Sequence, residues 1–127
     1  MSLILAVDDE ADILLIIGVI LRSRGHEVLE ATSGEMALEL LDRETPDAML
    51  LDIRMPGIDG LEVLERLLEK RRLSSLPVIM LSAYSSPSTV ERAKELGSKG
   101  FVTKPFAPDQ LTATLEEVLR AGATPAA

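Results

Sequence analysis

Five short aliphatic runs punctuate the chain: Leu3–Val7, Val28–Ala31, Ala48–Leu51, Val78–Leu81 and Gly100–Thr103. Several are continuously apolar rather than alternating, which suits strands buried on both faces. Between them, apolar residues fall three and four apart. Ile13, Ile16, Ile17, Ile20 and Leu21 form one stripe, Leu61, Leu64, Leu67 and Leu68 a second, and Leu111, Leu115, Val118 and Leu119 a third. Each predicts a helix with one face turned inward. Gly25 and Gly97 stand where helices should stop, and Pro87 and Pro108 where they should start. Ala107, just before Pro108, is a poorer cap than Ser or Asp and weakens that start by about 1 kcal/mol. Five strands alternating with five helices predict an α/β domain, a parallel sheet covered on both faces.

Sheets of this kind deliver functional groups at the carboxyl ends of their strands. Here the first strand runs into Asp8-Asp9-Glu10, and the third ends on Asp52. The fourth ends on Ser82, and the fifth runs into Lys104-Pro105. Those ends should converge on one rim, where three carboxylates, a hydroxyl and an ammonium share a small space. Clustered carboxylates repel, and a divalent cation relieves them. Ligation by oxygen alone favours Mg²⁺, with Mn²⁺ the substitute, over zinc. A carboxylate beside such a metal can itself be a nucleophile and form an aspartyl phosphate. Taken singly, each residue has a plainer role. Asp8 and Asp9 would favour a helix start, Asp52 a turn, Ser82 a cap, and Lys104 a solvated charge. Their occurrence together, at the ends of different strands, favours the site. Glu10, Asp12 and Asp59 read as capping or surface acids, and His26, the single histidine, as structural.

Composition narrows the classes. The 127 residues suit one domain, and 46% hydrophobic content supplies a core that is mainly aliphatic, since aromatics make up 2%. A net charge of −8 disfavours nucleic-acid binding by this domain. The absence of cysteine excludes disulfides and thiolate metal sites. Acids begin at Asp8 with no basic region before them, so no signal peptide is expected. The longest apolar run, Ile13 to Leu21, is short of the about 20 residues that a membrane span needs. A soluble, cytoplasmic protein is the expectation, with a domain over residues 1–121 and a tail or linker start over 122–127.

Four motifs in order resemble the bacterial two-component response regulator receiver domain: Val7-Asp8-Asp9-Glu10, Leu51-Asp52-Ile53-Arg54-Met55-Pro56-Gly57-Ile58-Asp59-Gly60, Leu81-Ser82-Ala83 and Lys104-Pro105-Phe106. The resemblance covers Leu3 to about Arg120. It implies a doubly wound (βα)5 flavodoxin-like sandwich with strand order 2-1-3-4-5. It implies that Asp52 accepts a phosphoryl group from a sensor histidine kinase or histidine phosphotransfer protein. Asp9 and Asp52 would ligate Mg²⁺, Asp8 would hold a metal-bound water, and the Arg54 carbonyl would complete the protein ligands. Ser82 would bond a phosphoryl oxygen, Lys104 would pair with the phosphoryl group, and the Lys104–Pro105 bond would be cis. Ser82 and Phe101 would form the switch. The fourth helix, fifth strand and fifth helix would serve an output domain or partner protein, in a monomer or weak dimer. Such a domain accepts a phosphoryl group and turns over no separate substrate. Arg54 and Tyr84 lie where the family tunes hydrolysis of the acyl phosphate, and their bulk predicts slow self-dephosphorylation.

Leu14, Leu15 and Val19 fall outside the inward stripe of the first helix and predict an apolar docking patch for the donor. Three rival readings are weaker. A phosphorylation-independent interaction module has no need for clustered acids. An aspartyl phosphatase would carry an Asp-x-Asp pair after the first strand, whereas Asp8 and Asp9 are adjacent. A flavin site needs a Ser/Thr/Gly-rich loop where the acids stand.

Overall fold

A computed structural model describes residues 2–72, 75–83 and 86–123. Five strands, β1 (Leu3–Val7), β2 (Glu27–Ala31), β3 (Ala48–Asp52), β4 (Val78–Ser82) and β5 (Gly100–Thr103), alternate with five helices. The helices are α1 (Ala11–Arg22), α2 (Gly34–Leu41), α3 (Gly60–Glu69), α4 (Pro87–Glu95) and α5 (Pro108–Ala123). The strands pair in parallel in the order β2-β1-β3-β4-β5. This is the doubly wound, flavodoxin-like arrangement.

The continuous apolar runs are explained by two cores, one on each side of the sheet. Leu5, Val7, Met49, Leu51, Val78 and Met80 point to the side covered by α2, α3 and α4. Their neighbours Ile4, Ala6, Ala48, Leu50, Ile79 and Leu81 point to the side covered by α1 and α5. Successive side chains take opposite faces, so both sets must be apolar.

Loop chemistry follows the sequence. Gly25, Gly57 and Gly97 adopt positive φ, which costs a residue without Cβ little. Asp59 caps α3, its Oδ1 accepting from the Glu62 N–H at 2.9 Å. Ser33 and Ser86 cap α2 and α4 in the same way.

The phase of α1 differs from the sequence reading. Leu14, Ile17, Gly18 and Leu21 are buried, at i, i+3, i+4 and i+7. Leu14 is therefore a core residue and leaves the predicted docking patch. Ile16, expected inward, is exposed together with Leu15 and Val19. Aliphatic residues occupy almost every position from 13 to 21, so hydropathy alone could not phase this helix. Leu68, counted in the inward stripe of α3, is likewise exposed, and Val63 takes its place in the core. Among the described residues, no helix is long and apolar enough to cross a membrane.

Candidate functional site at the carboxyl edge of the sheet

Parallel pairing ends β1, β3, β4 and β5 at one edge, and their last residues meet there. Asp8 follows β1 and is fully buried. Its backbone N–H donates to the Ala31 carbonyl at 3.1 Å, and its Oδ1 accepts from the Glu10 N–H at 2.9 Å. Asp52 closes β3 and is 3% exposed. Ser82 closes β4, equally buried, in register with Thr103 of β5. Lys104 follows β5, its backbone N–H donating to the Ser82 carbonyl at 2.8 Å. The Lys104–Pro105 peptide bond is cis.

The Lys104 side chain runs inward, and its ammonium lies 2.6 Å from Asp8 Oδ2, 3.4 Å from Asp52 Oδ1 and 3.9 Å from Glu10 Oε1. The short approach to Asp8 is charge to charge, because Asp8 Oδ2 receives no well-directed hydrogen bond. Burial alone would lower the affinity of Lys104 for its proton. Asp8 and Asp52 outweigh that, and hold its pKa above the usual lysine value. Asp52 is pushed the other way from a normal carboxylate, up to about 6. Burial is the main cause, repulsion from Asp8 and then Asp9 adds to it, and Lys104 opposes it. One ammonium thus faces more negative charge than it can neutralise.

Carboxylate oxygens of Asp8, Asp9 and Glu10 lie within 4.8 Å of one another, close enough to share a cation. An all-oxygen set with a buried oxygen lacking a directed donor fits a hard divalent ion such as Mg²⁺. Sequence reasoning placed Asp8, Asp9, Asp52, Ser82 and Lys104 at this edge, and the structure brings them there. It missed Glu10. That residue occupies the cap position of α1, but its side chain makes no capping bond and leans toward Lys104. A carboxylate that follows two strand-end acids directly was the available signal.

The remaining predicted residues are peripheral to this cluster. Arg54 is exposed and lines an open hollow of about 670 Å³ with Met55, Pro56, Ser86 and Thr89. Phe101 is half-buried in β5 and packs on the core side shared with Ala93 and Leu96. Tyr84 lies outside the described residues. His26 packs at the start of β2 with Nδ1 buried.

The fold and this edge define a doubly wound α/β domain that gathers acids and one lysine at the ends of its strands. Residues 4–116 match the family described as the response regulator receiver domain, and the chain belongs to that family. It is similar to the phosphate regulon transcriptional regulatory protein PhoB of Pseudomonas aeruginosa, 39% identical over 92% of this chain and 51% of that protein. It is also similar to sporulation initiation phosphotransferase F of Bacillus subtilis, 33% identical over 91% of this chain and 92% of that one. The chemotaxis protein CheY4 of Vibrio cholerae superposes with a TM-score of 0.87 at 31% identity, covering 93% of this chain and 98% of the other. The chain spans about half the length of the first curated relatives it matches.

Proposed function

We propose that this domain is a phosphorylation-dependent signalling switch whose phosphoacceptor is Asp52. The observation that carries the reading is the meeting of Asp52, Asp8 and the Lys104 ammonium at one buried edge. A carboxylate oxygen of Asp52 attacks the phosphorus of a phosphohistidine on a sensor kinase or phosphotransfer protein. The P–N bond breaks, the imidazole leaves and takes up a proton, and Asp52 becomes an acyl phosphate. Asp9, Asp52 and the backbone carbonyl of Arg54 would hold Mg²⁺, with Asp8 and Glu10 beside them. When bound, that ion neutralises charge on the phosphoryl oxygens. Lys104 pairs with a phosphoryl oxygen and Ser82 donates its hydroxyl to another. Ser82 ends β4, the strand beside that of Asp52, and Lys104, just past β5, already lies 3.4 Å from Asp52 Oδ1. No separate substrate is turned over.

Output follows from a population shift. The phosphoryl group need only favour one arrangement of Ser82 and Phe101 over another to bias the surface formed by α4, β5 and α5. That surface would then meet an output domain or partner. The relatives are of two lengths, so residues 1–121 serve either as a stand-alone switch or as one part of a longer regulator, with 122–127, the first two of them still in α5, as tail or linker. Leu15, Val19 and the exposed Ile16 form an apolar face on α1 that fits the helical bundle of a donor.

The test is labelling with acetyl phosphate in Mg²⁺, wild type against Asp52→Asn. Labelling of the wild type alone, lost on chelation, is expected. Unlabelled wild type, or equal labelling of both, would leave a phosphorylation-independent interaction module instead.

A further inference from the structure

Gly60 opens α3 and rests on the backbone of Asp52. A β-carbon at Gly60 would press into the carbonyl oxygen of Asp52, and would stand 2.8 Å from Ile53 Cα and 3.0 Å from the Asp52 carbonyl carbon. Ordinary carbon contacts lie at about 3.5–4.0 Å. All three obstacles are main chain, so no side chain can swing aside. The approach is also pinned. The Gly60 N–H donates to the Ile53 carbonyl at 2.8 Å, and the Ile53 N–H donates to the Leu81 carbonyl at 3.0 Å. On its other edge β3 is held by β1.

We propose that Gly60 is a positioning residue for Asp52. Its missing side chain lets α3 seat directly on the Asp52 peptide unit, which fixes the direction in which the carboxylate leaves the strand. The proposal rests on Asp52 being the phosphoacceptor. That carboxylate has little freedom, being almost wholly buried with Oδ1 3.4 Å from Lys104 Nζ. Adding a methyl group must turn the Asp52 peptide or lift α3, a displacement on the order of 1 Å, and misplacement of that size slows a reaction by about 100-fold.

Gly34 supplies the contrast. A β-carbon there would meet Ile58 Cγ1 at 2.7 Å, Val63 Cγ2 at 2.8 Å and the Ile58 carbonyl oxygen at 3.0 Å. Two of those atoms belong to side chains, and none belongs to Asp52 or its neighbours in sequence. Gly34→Ala therefore strains the fold without pressing on the phosphoacceptor.

The experiment compares the full chain as wild type, Gly60→Ala and Gly34→Ala. Each is titrated with acetyl phosphate at saturating Mg²⁺, and its thermal midpoint is measured. The maximum labelling rate of Gly60→Ala should fall by about 10- to 100-fold with the half-saturating donor concentration unchanged. Gly34→Ala should lose thermal stability and keep the wild-type rate. An unchanged rate in Gly60→Ala, or an equal fall in both variants, overturns the proposal. If the wild type does not label at Asp52, the reading of the site fails by itself. Gly60 is then judged by the ¹³C shift of the Asp52 carboxyl, which should move in Gly60→Ala alone. If Gly60→Ala does not fold in plain buffer, the comparison is made in trimethylamine N-oxide, which favours the compact state. Failure to fold even there makes Gly60 a requirement of folding and overturns the positioning role.

Discussion

The ammonium of Lys104 lies 2.6 Å from Oδ2 of Asp8, two residues drawn from opposite ends of the chain and both shut away from solvent. A pair buried this way is expensive to break from either side, because the survivor keeps its charge and loses its partner. Replacing Lys104 by Met should lower stability at pH 7 by about 3–5 kcal/mol. The pKa of Lys104 is raised, so its contribution is complete below the ordinary lysine value and fades only as pH rises through the higher folded value. Denaturant melts should show the full loss at pH 9 and a smaller but definite loss at pH 6, where Asp52, with its pKa near about 6, can take up a proton once its counter-charge is gone. A loss present at pH 9 and absent at pH 6 would contradict the pairing.

Asp52 carries the opposite sign. Its pKa rises from 3.8 to about 6 on folding, so the fold prefers the neutral acid. The contribution of this group is full below about 3.8 and is lost as pH climbs through about 6. Asp52→Asn removes that loss. In metal-free buffer the variant should gain about 1–3 kcal/mol over wild type at pH 7.5, and little or nothing at pH 4. The check is the difference in unfolding midpoint across that range. A difference that does not vary with pH would refute it.

Mg²⁺ should protect the fold, because the folded edge gathers acids that an unfolded chain scatters. A ligand at about 100 times its dissociation constant adds about 2.7 kcal/mol. Melting curves with and without Mg²⁺ should separate for the wild type and draw together for Asp9→Asn. Equal protection of both proteins would remove Asp9 from the metal site.

Two neighbouring leucines on α1 should behave differently. Leu14 is 2% exposed and Leu15 63%. Leu14→Ala should cost about 2–5 kcal/mol of stability. Leu15→Asp should leave the melt nearly unchanged, slow transfer from the cognate kinase and spare labelling by acetyl phosphate. Equal slowing with both donors would sink the docking face.

The central strands β1, β3 and β4 were readable because a strand buried on both sides admits no polar alternation, and the strand ends named Asp8, Asp52, Ser82 and Lys104 in turn. The rotation of α1 was not readable. With aliphatic residues nearly throughout residues 13–21, neither Leu14 nor Ile16 announces its side. What separates them is which face meets the sheet, with Gly18 on the buried side. Glu10 was hidden for a different reason. Its position is that of a helix cap, and only the inward reach of Lys104 shows the carboxylate turned toward the cluster. The fit between Gly60 and Asp52 is a main-chain contact, which no pattern of side chains could reveal.

The order β2-β1-β3-β4-β5 sets where the charges of the edge come from. The strand that carries Lys104 is both the last made and an outer edge of the sheet. Asp8 and Asp52 therefore come earlier in the chain than their counter-charge, which only the far end of the sheet supplies. The charge balance of the edge is thus completed from the rim of the sheet, by the residue that follows its outermost strand, and not from its centre.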